Sequence, residues 1–275
     1  MQQLKSKYKT AFVTGGSSGL GAEFVKMLLG EGLDVWTTSR KITNIKECPG
    51  LHRKVLDLSD FQSITDVGRD IIKEVPDLDI VINNAGSADF GSFEQCDSDA
   101  INRQLNVMLY GPIQLSHIFF KYFRARGHGT IVNITSLAAT FPIPYMSIYN
   151  TAKAGLASFT RSLELEAGHN SGITIINFEP GDYQTAFNDS MKMGNSYSNE
   201  TNPRALRAWQ QIDKHMASSP HPEHAARKLK KALERGVSCT VTSGSFTQAL
   251  LAPFLSRFGT WPIIRFALEQ YYDLK

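Results

Sequence analysis

Three observations predict an α/β fold in which a doubly wound, parallel seven-stranded sheet carries helices on both faces. Short β-branched runs alternate with longer helical patterns along all 275 residues, as successive βαβ units require. A glycine-rich turn, Gly15 to Gly21, joins the first run to the first helix. The composition, 42% hydrophobic and 20% charged, is that of a compact folded chain. With no repeat and no linker in the sequence, 1–275 reads as a single domain.

The first strand is expected at 10–14 (TAFVT), followed by a helix over 21–29 that Gly30 and Gly32 close. A second strand at 34–38 (DVWTT) and a third at 53–56 (RKVL) precede a helix over 61–74, opened by Ser59 and Asp60. The fourth strand, 79–83 (DIVIN), leads into one long helix over 99–126, and the fifth, 130–135 (TIVNIT), into a helix over 149–167 closed by Gly168. The sixth strand is 173–178 (ITIINF). A helix over 222–235, started at Pro222 and closed by Gly236, leads to the last strand, 239–242 (CTVT). Between these, 182–220 is polar, rich in Ser, Asn and Met and without clear periodicity. A stretch of that size inside a compact chain is expected to be a loop that covers a ligand. Met191, Met193, Phe187, Tyr197 and Trp209 punctuate it, either as apolar pocket walls or as a lid folded back on the core.

The charge balance is 29 Lys plus Arg against 26 Asp plus Glu, net +3, with no basic run. That excludes the electrostatic footprint of a nucleic-acid binder. Cys48, Cys96 and Cys239 are scattered, without CxxC or Cys/His spacing, which argues against a disulfide framework or zinc site and for a reducing, cytoplasmic setting. Residues 1–9 contain no apolar stretch of signal-peptide length. His221-Pro222-Glu223-His224 reads as a helix start rather than a metal site, and no metal is expected. Of the Asn-x-Ser/Thr triplets at Asn133, Asn188 and Asn199, the first falls in an expected buried strand.

The turn Thr14-Gly15-Gly16-Ser17-Ser18-Gly19-Leu20-Gly21 lies where a strand runs into a helix. Glycines there let backbone N–H groups approach a pyrophosphate, and the positive end of the helix favours its charge. Tyr149 and Lys153, four positions apart on a helix, share one face. A cation beside a phenol favours the phenolate, so Lys153 is expected to lower the pKa of Tyr149 from its usual value near 10. The second strand ends in Ser39-Arg40-Lys41, where an acidic residue would accept from an adenine-ribose 2′-hydroxyl. Arg40 can instead meet a 2′-phosphate with a charge-assisted contact and Ser39 can add a hydrogen bond, which predicts NADP(H) as cofactor.

Taken together, TGxxxGxG at Thr14 to Gly21, Asn83-Asn84-Ala85-Gly86 after the fourth strand, Ser136 after the fifth and Tyr149-x-x-x-Lys153 resemble the short-chain dehydrogenase/reductases of the single-domain type. Pro180-Gly181 after the sixth strand and Thr185 beyond it extend the likeness, which runs from about Lys9 to Thr185 plus the final strand. The resemblance implies a Rossmann-like fold and a catalytic tetrad of Asn106, Ser136, Tyr149 and Lys153. In it the tyrosine exchanges a proton with the substrate oxygen and the serine holds that oxygen. The lysine holds the nicotinamide ribose, and the asparagine anchors a water in a proton relay. It likewise implies a cofactor site of Gly15, Ser17, Ser18, Gly19, Leu20, Gly21, Ser39, Arg40, Asp57, Leu58, Asn84, Ala85, Gly86, Pro180, Gly181 and Thr185. Asp57-Leu58 would contact adenine, although Asp57 also suits a turn before Ser59. Thr185 would bond the carboxamide or be a plain loop residue.

The expected activity is hydride transfer between NADP(H) and a carbonyl or alcohol of an apolar or bulky small molecule, such as a steroid, lipid, polyketide or quinone-like compound. Ser136, Phe141, Tyr145, Tyr149 and Phe187 are the candidate substrate residues. An NADP(H)-binding redox sensor without turnover is the alternative. The apolar tail, 246–275, is broken by Pro253, Arg257, Pro262 and Arg265 and so cannot be one spanning helix. It is left to lie on a membrane surface, cross a subunit interface, cap an apolar cavity or pack on its own domain. A homodimer or homotetramer is expected, with Ala152, Leu156, Phe159 and Leu163 of the 149–167 helix as a pairing face.

Overall fold

The computed structural model describes residues 4–185, 187, 191 and 200–275. Strands β1 (Thr10–Val13), β2 (Asp34–Ser39), β3 (Leu51–Val55), β4 (Ile80–Asn83), β5 (Gly129–Ile134), β6 (Ile173–Pro180) and β7 (Cys239–Ser243) form one seven-stranded parallel sheet in the order β3-β2-β1-β4-β5-β6-β7. Helices are α1 (Gly19–Gly30), α2 (Phe61–Glu74), α3 (Ser98–Leu105), α4 (Gly111–Arg126), α5 (Ser147–Ala167), α6 (Pro203–Ala217), α7 (Glu223–Arg235), α8 (Phe246–Phe258) and α9 (Trp261–Tyr271).

Because successive strand residues face opposite sides, the sheet builds two cores. Ala11, Val13, Ile80, Ile82, Val132, Ile134, Ile176 and Phe178 pack against α1 and α7. Their neighbours Phe12, Val81, Ile131 and Ile175 pack against α2, α4 and α5. The inner strands β1, β4, β5 and β6 carry apolar residues on both faces, as a parallel sheet covered on both sides demands. A buried polar chain crosses the second layer: Asn83 Nδ2 donates to Asn133 Oδ1 at 2.8 Å, and Asn133 Nδ2 donates to Thr160 Oγ1 at 2.9 Å. Asn133 is wholly buried in β5, so its triplet presents no surface acceptor. β1 and β4 lie side by side, and from them the strand order runs outward in opposite directions. A crevice therefore opens at their carboxyl ends.

Several elements depart from expectation. The third strand begins at Leu51 rather than 53, because Leu51 pairs with Val35 and the His52 ring stacks on Trp36 at 4.1 Å. The helix expected over 99–126 is broken: α3 gives way to a π turn, Asn106–Tyr110, before α4 resumes at Gly111. A π turn inserts one residue and re-aims the side chains that follow it. The segment 182–220 is not structureless, since it contains α6. Asn202 caps that helix by accepting from Arg204 N, Pro203 opens it, and Ala205, Ala208, Trp209 and Ile212 are buried along one face. Met193 and Tyr197, and the triplets at Asn188 and Asn199, lie outside the described residues. Ala152, Leu156 and Leu163, expected to face a second subunit, are instead buried within the chain's own fold. The tail forms two helices, with Pro253 inside the first, and no helix among the described residues is long and apolar enough to cross a membrane.

Candidate active site

The crevice is the mouth of a cavity of about 1500 Å³ that runs from the glycine turn, past β5 and α5, to the underside of α8 and α9. At its nucleotide end, Thr14 locks the turn: its hydroxyl accepts from the N–H groups of Asn84 (3.0 Å) and Ala85 (3.1 Å), while Asn84 Nδ2 donates to Thr14 O at 2.9 Å and Gly15 O at 3.2 Å. Two of the glycines are sterically required. Gly15 has a φ of +71°, and a Cβ there would meet Ala85 Cα at 2.8 Å; a Cβ on Gly21 would meet Gly15 O at 2.2 Å. α1 begins at this turn with no side-chain cap on Ser18 and no acidic residue in its first turn. Its positive end is left for an external anion.

Ser17, Ser18, Gly19 and Leu20 line this part of the cavity, as do Ser39, Arg40, Asp57, Leu58 and Gly86. Lys41 and Asn44 join them, a second cation and an amide at the end of β2 that the sequence analysis did not assign. Asp57 is engaged in the turn: the Ser59 hydroxyl and N–H both donate to its Oδ1, at 2.6 and 2.9 Å, and hold its carboxyl below the ordinary carboxylate range, with the Arg40 charge acting in the same direction. A glycine-rich turn, a positive helix end and basic groups beside β2 fit a nicotinamide adenine dinucleotide.

The floor is built by β5 and α5. Ser136 follows β5 and caps a short 3₁₀ turn, accepting from Ala138 N at 3.0 Å and donating to Pro180 O at 3.5 Å, and it stands near enough to the Tyr149 phenol to favour its ionised form. Lys153 Nζ donates to Ile134 O at 2.8 Å and lies 5.8 Å from the Tyr149 ring centre. The expected tuning is not what governs these groups. Enclosure by protein penalises both charged forms, pushing Tyr149 up to about 12 against the opposing effect of Ser136 and Lys153 down to about 8. Pro180, Gly181 and Thr185 border the floor from the far side.

Two expected residues are not on the cavity wall. Asn106 begins the π turn, and it is Val107 and Met108 that line the cavity there. Tyr145, in the left-handed region at φ 62°, instead packs on Phe90 (5.8 Å between rings) within the cluster that also holds Trp209. Its carbonyl accepts from Gly91 N at 3.0 Å, which fixes the turn that sends it away. Phe141 and Phe187 do line the chamber, with Phe187 5.9 Å from the Tyr149 ring. Beyond them the wall is apolar, formed by Met146, Met191, Ile212 and Met216 and by Leu255 and Leu268 of the tail.

One polar group in this chamber was not foreseen. Asp182, directly after Pro180-Gly181, is raised above the ordinary carboxylate range by burial. Gln248 Nε2 donates to its Oδ2 at 2.6 Å and Tyr271 Oη donates to the same oxygen at 3.3 Å, so both tail helices grip it. Its charge in turn helps hold Tyr149 high. An acidic residue immediately after the Pro-Gly pair was the available signal.

A family model described as short chain dehydrogenase matches residues 9–195. The chain is 32% identical over 232 residues to an uncharacterized oxidoreductase, C162.03, of Schizosaccharomyces pombe, covering 82% of this chain and 78% of that protein. It is 29% identical over 226 residues to a 3-ketodihydrosphingosine reductase of Bacteroides thetaiotaomicron, covering 81% and 82% respectively. A crystal structure of a short-chain dehydrogenase from Streptomyces avermitilis superposes with a TM-score of 0.79 at 23% identity, over 98% of this chain and 97% of that one. The sheet order, the glycine turn and these matches agree: the chain is an oxidoreductase of the short-chain dehydrogenase/reductase family.

Proposed function

We propose that the protein reduces a carbonyl group of an apolar or bulky small molecule with NADPH, or runs the reverse oxidation. The observation that carries this is the meeting of two unlike compartments at one phenol. Tyr149 stands where the glycine-lined cleft ends and the apolar chamber begins, beside Ser136 and one helical turn from Lys153.

When bound, NADP(H) would supply or accept the hydride. Gly15 to Gly21 and the start of α1 would hold the pyrophosphate, Asn84, Ala85 and Gly86 the adjoining ribose, and Thr185 the carboxamide. Asp57 and Leu58 would border adenine, with Ser39, Arg40 and Lys41 on the 2′-phosphate; two cations and a hydroxyl with no acid at the end of β2 support the phosphorylated form. Lys153 would hold the nicotinamide ribose with its ammonium. Ser136 would donate to the substrate oxygen and Tyr149 would deliver its proton there. A phenol raised to about 12 is in its donating form throughout the neutral range. Asn106 is assigned the water-anchoring position behind Lys153, on the π turn that packs against α5. The chamber of Phe141, Met146, Phe187, Met191, Ile212 and Leu255 supports a lipophilic substrate.

The test follows NADPH absorbance against lipophilic ketones, aldehydes and quinones for wild type and Tyr149→Phe. Turnover that falls by about 10²- to 10⁴-fold in the variant, with NADPH binding kept, is the expected result. Tight NADPH binding with no turnover on any compound would overturn the proposal in favour of a redox sensor.

A further inference from the structure

The two tail helices carry apolar residues on their outer as well as their inner sides, unlike ordinary surface helices, which turn polar residues outward. Leu251, Phe254 and Phe258 share one face of α8, Ile263 and Phe266 share one of α9, and all of them are exposed. With Phe246 and Trp261 they make an apolar plate whose members are 51% to 81% exposed. The other sides of the same helices bring Leu255, Ile264 and Leu268 to the cavity, and Leu251 belongs to both plate and cavity wall. Cavity and plate are therefore continuous at Leu251.

Within the span from Phe246 to Leu268 the charges are of one sign. Residues 246–268 contain Arg257 and Arg265 and no Asp or Glu. The Arg257 guanidinium lies 5.8 Å from the Phe258 ring centre, and Lys275 Nζ lies 5.1 Å from that of Phe266. Glu269, just beyond, is taken by Arg265 at 2.8 Å. A second copy is a poor occupant. A two-fold contact sets a patch against itself, and here it would bring Arg257 against its own copy, since the Glu269 carboxylate is already held by Arg265. Aromatic rings interleaved with cations, including an indole at the hinge between the helices, suit the boundary between lipid tails and anionic headgroups.

We propose that α8 and α9 dock the protein on an anionic lipid bilayer, with the cavity opening into the docked face. On the functional reading above, a carbonyl compound dissolved in the bilayer would then reach Tyr149 past Leu251 without crossing water.

Docking is tested separately from turnover, by flotation of the full-length protein with vesicles of phosphatidylcholine alone or mixed with phosphatidylglycerol. The wild type is expected to float with the mixed vesicles, and Phe254→Ser/Phe258→Ser/Phe266→Ser to lose about tenfold or more in partitioning while its thermal midpoint is kept. As a reading that does not depend on that variant's folding, brominated lipid should quench wild-type tryptophan fluorescence, and Trp261→Phe should remove the quenching although Trp36 and Trp209 remain. Wild type that stays in solution with mixed vesicles, or quenching that survives Trp261→Phe, would overturn the proposal. So would a wild-type dimer that the triple variant makes monomeric, which would assign the plate to a second copy.

Discussion

At the scale of the residue, the electrostatics of Tyr149 are set by its neighbours more than by its sequence motif. Lys153 four positions on was expected to draw its proton off, yet the enclosing protein penalises the charged form of both groups. Desolvation sets the direction for both, and the Asp182 charge adds to the cost of a phenolate. Asp182→Asn keeps an oxygen for Gln248 and Tyr271 but deletes that charge. The phenol pKa should then fall from about 12 toward its ordinary value, and the phenolate, the form that accepts a proton in alcohol oxidation, should become available at lower pH. The rising limb of kcat/KM against pH for oxidation is expected to move to the acid side. A limb that stays in place would show that Asp182 does not act on Tyr149. The glycines, the serine, the phenol and the lysine were legible because each is a residue type that its task demands. Asp182 was not legible as part of the site, because its partners Gln248 and Tyr271 lie 66 and 89 positions away.

At the scale of the element, local pattern predicted the sheet well, because each inner strand is a β-branched run and each faces apolar layers on both sides. It failed where tertiary contact decides. Leu51 and His52 have little strand character of their own and are drawn into β3 by β2. Nothing in Asn106–Tyr110 distinguishes a π turn from the α-helices on either side. α6 was obscured by its polar surroundings, although Asn202-Pro203 and the spacing of Ala205, Ala208, Trp209 and Ile212 contain it. The start of α8 shows how one side chain can tie an element to the site. Gln248 completes a capping box with Ser245, accepts from Asp182 N at 3.2 Å and from Ser245 N at 3.3 Å, and donates to Asp182 Oδ2. Gln248→Ala leaves two N–H groups and a carboxylate oxygen without this partner, a loss of about 1–3 kcal/mol. Thermal unfolding should register that loss, and hydrogen exchange should quicken at the first turn of α8. Unchanged exchange there would mean that α8 is held by its packing alone.

At the scale of the whole molecule, the fold is two cores joined by a sheet, with the cofactor cleft crossing the ends of the central strands. Whatever fills the cleft ties the glycine turn, β2, β5 and α5 together, so its binding energy adds to the stability of the native state by mass action. At a concentration a hundredfold above Kd that gain is about 2.7 kcal/mol, or roughly 5–10 °C in Tm for a chain of this size. On the proposed function, the end of β2 would decide which dinucleotide achieves it. On the proposed reading Arg40, Lys41 and Ser39, which line the cavity there, would meet a 2′-phosphate, and β2 ends in no carboxylate that would accept from a free 2′-hydroxyl. NADPH should therefore raise Tm well above what the same concentration of NADH gives. Arg40→Ala should lower the NADPH shift toward the NADH value while leaving the NADH shift nearly unchanged, because the lost contact is to the phosphate alone. If the two dinucleotides shift the wild type equally, or if the variant loses both shifts in step, Arg40 is a surface charge and the specificity assigned to β2 falls, whereas the assignment of the glycine turn to the pyrophosphate stands.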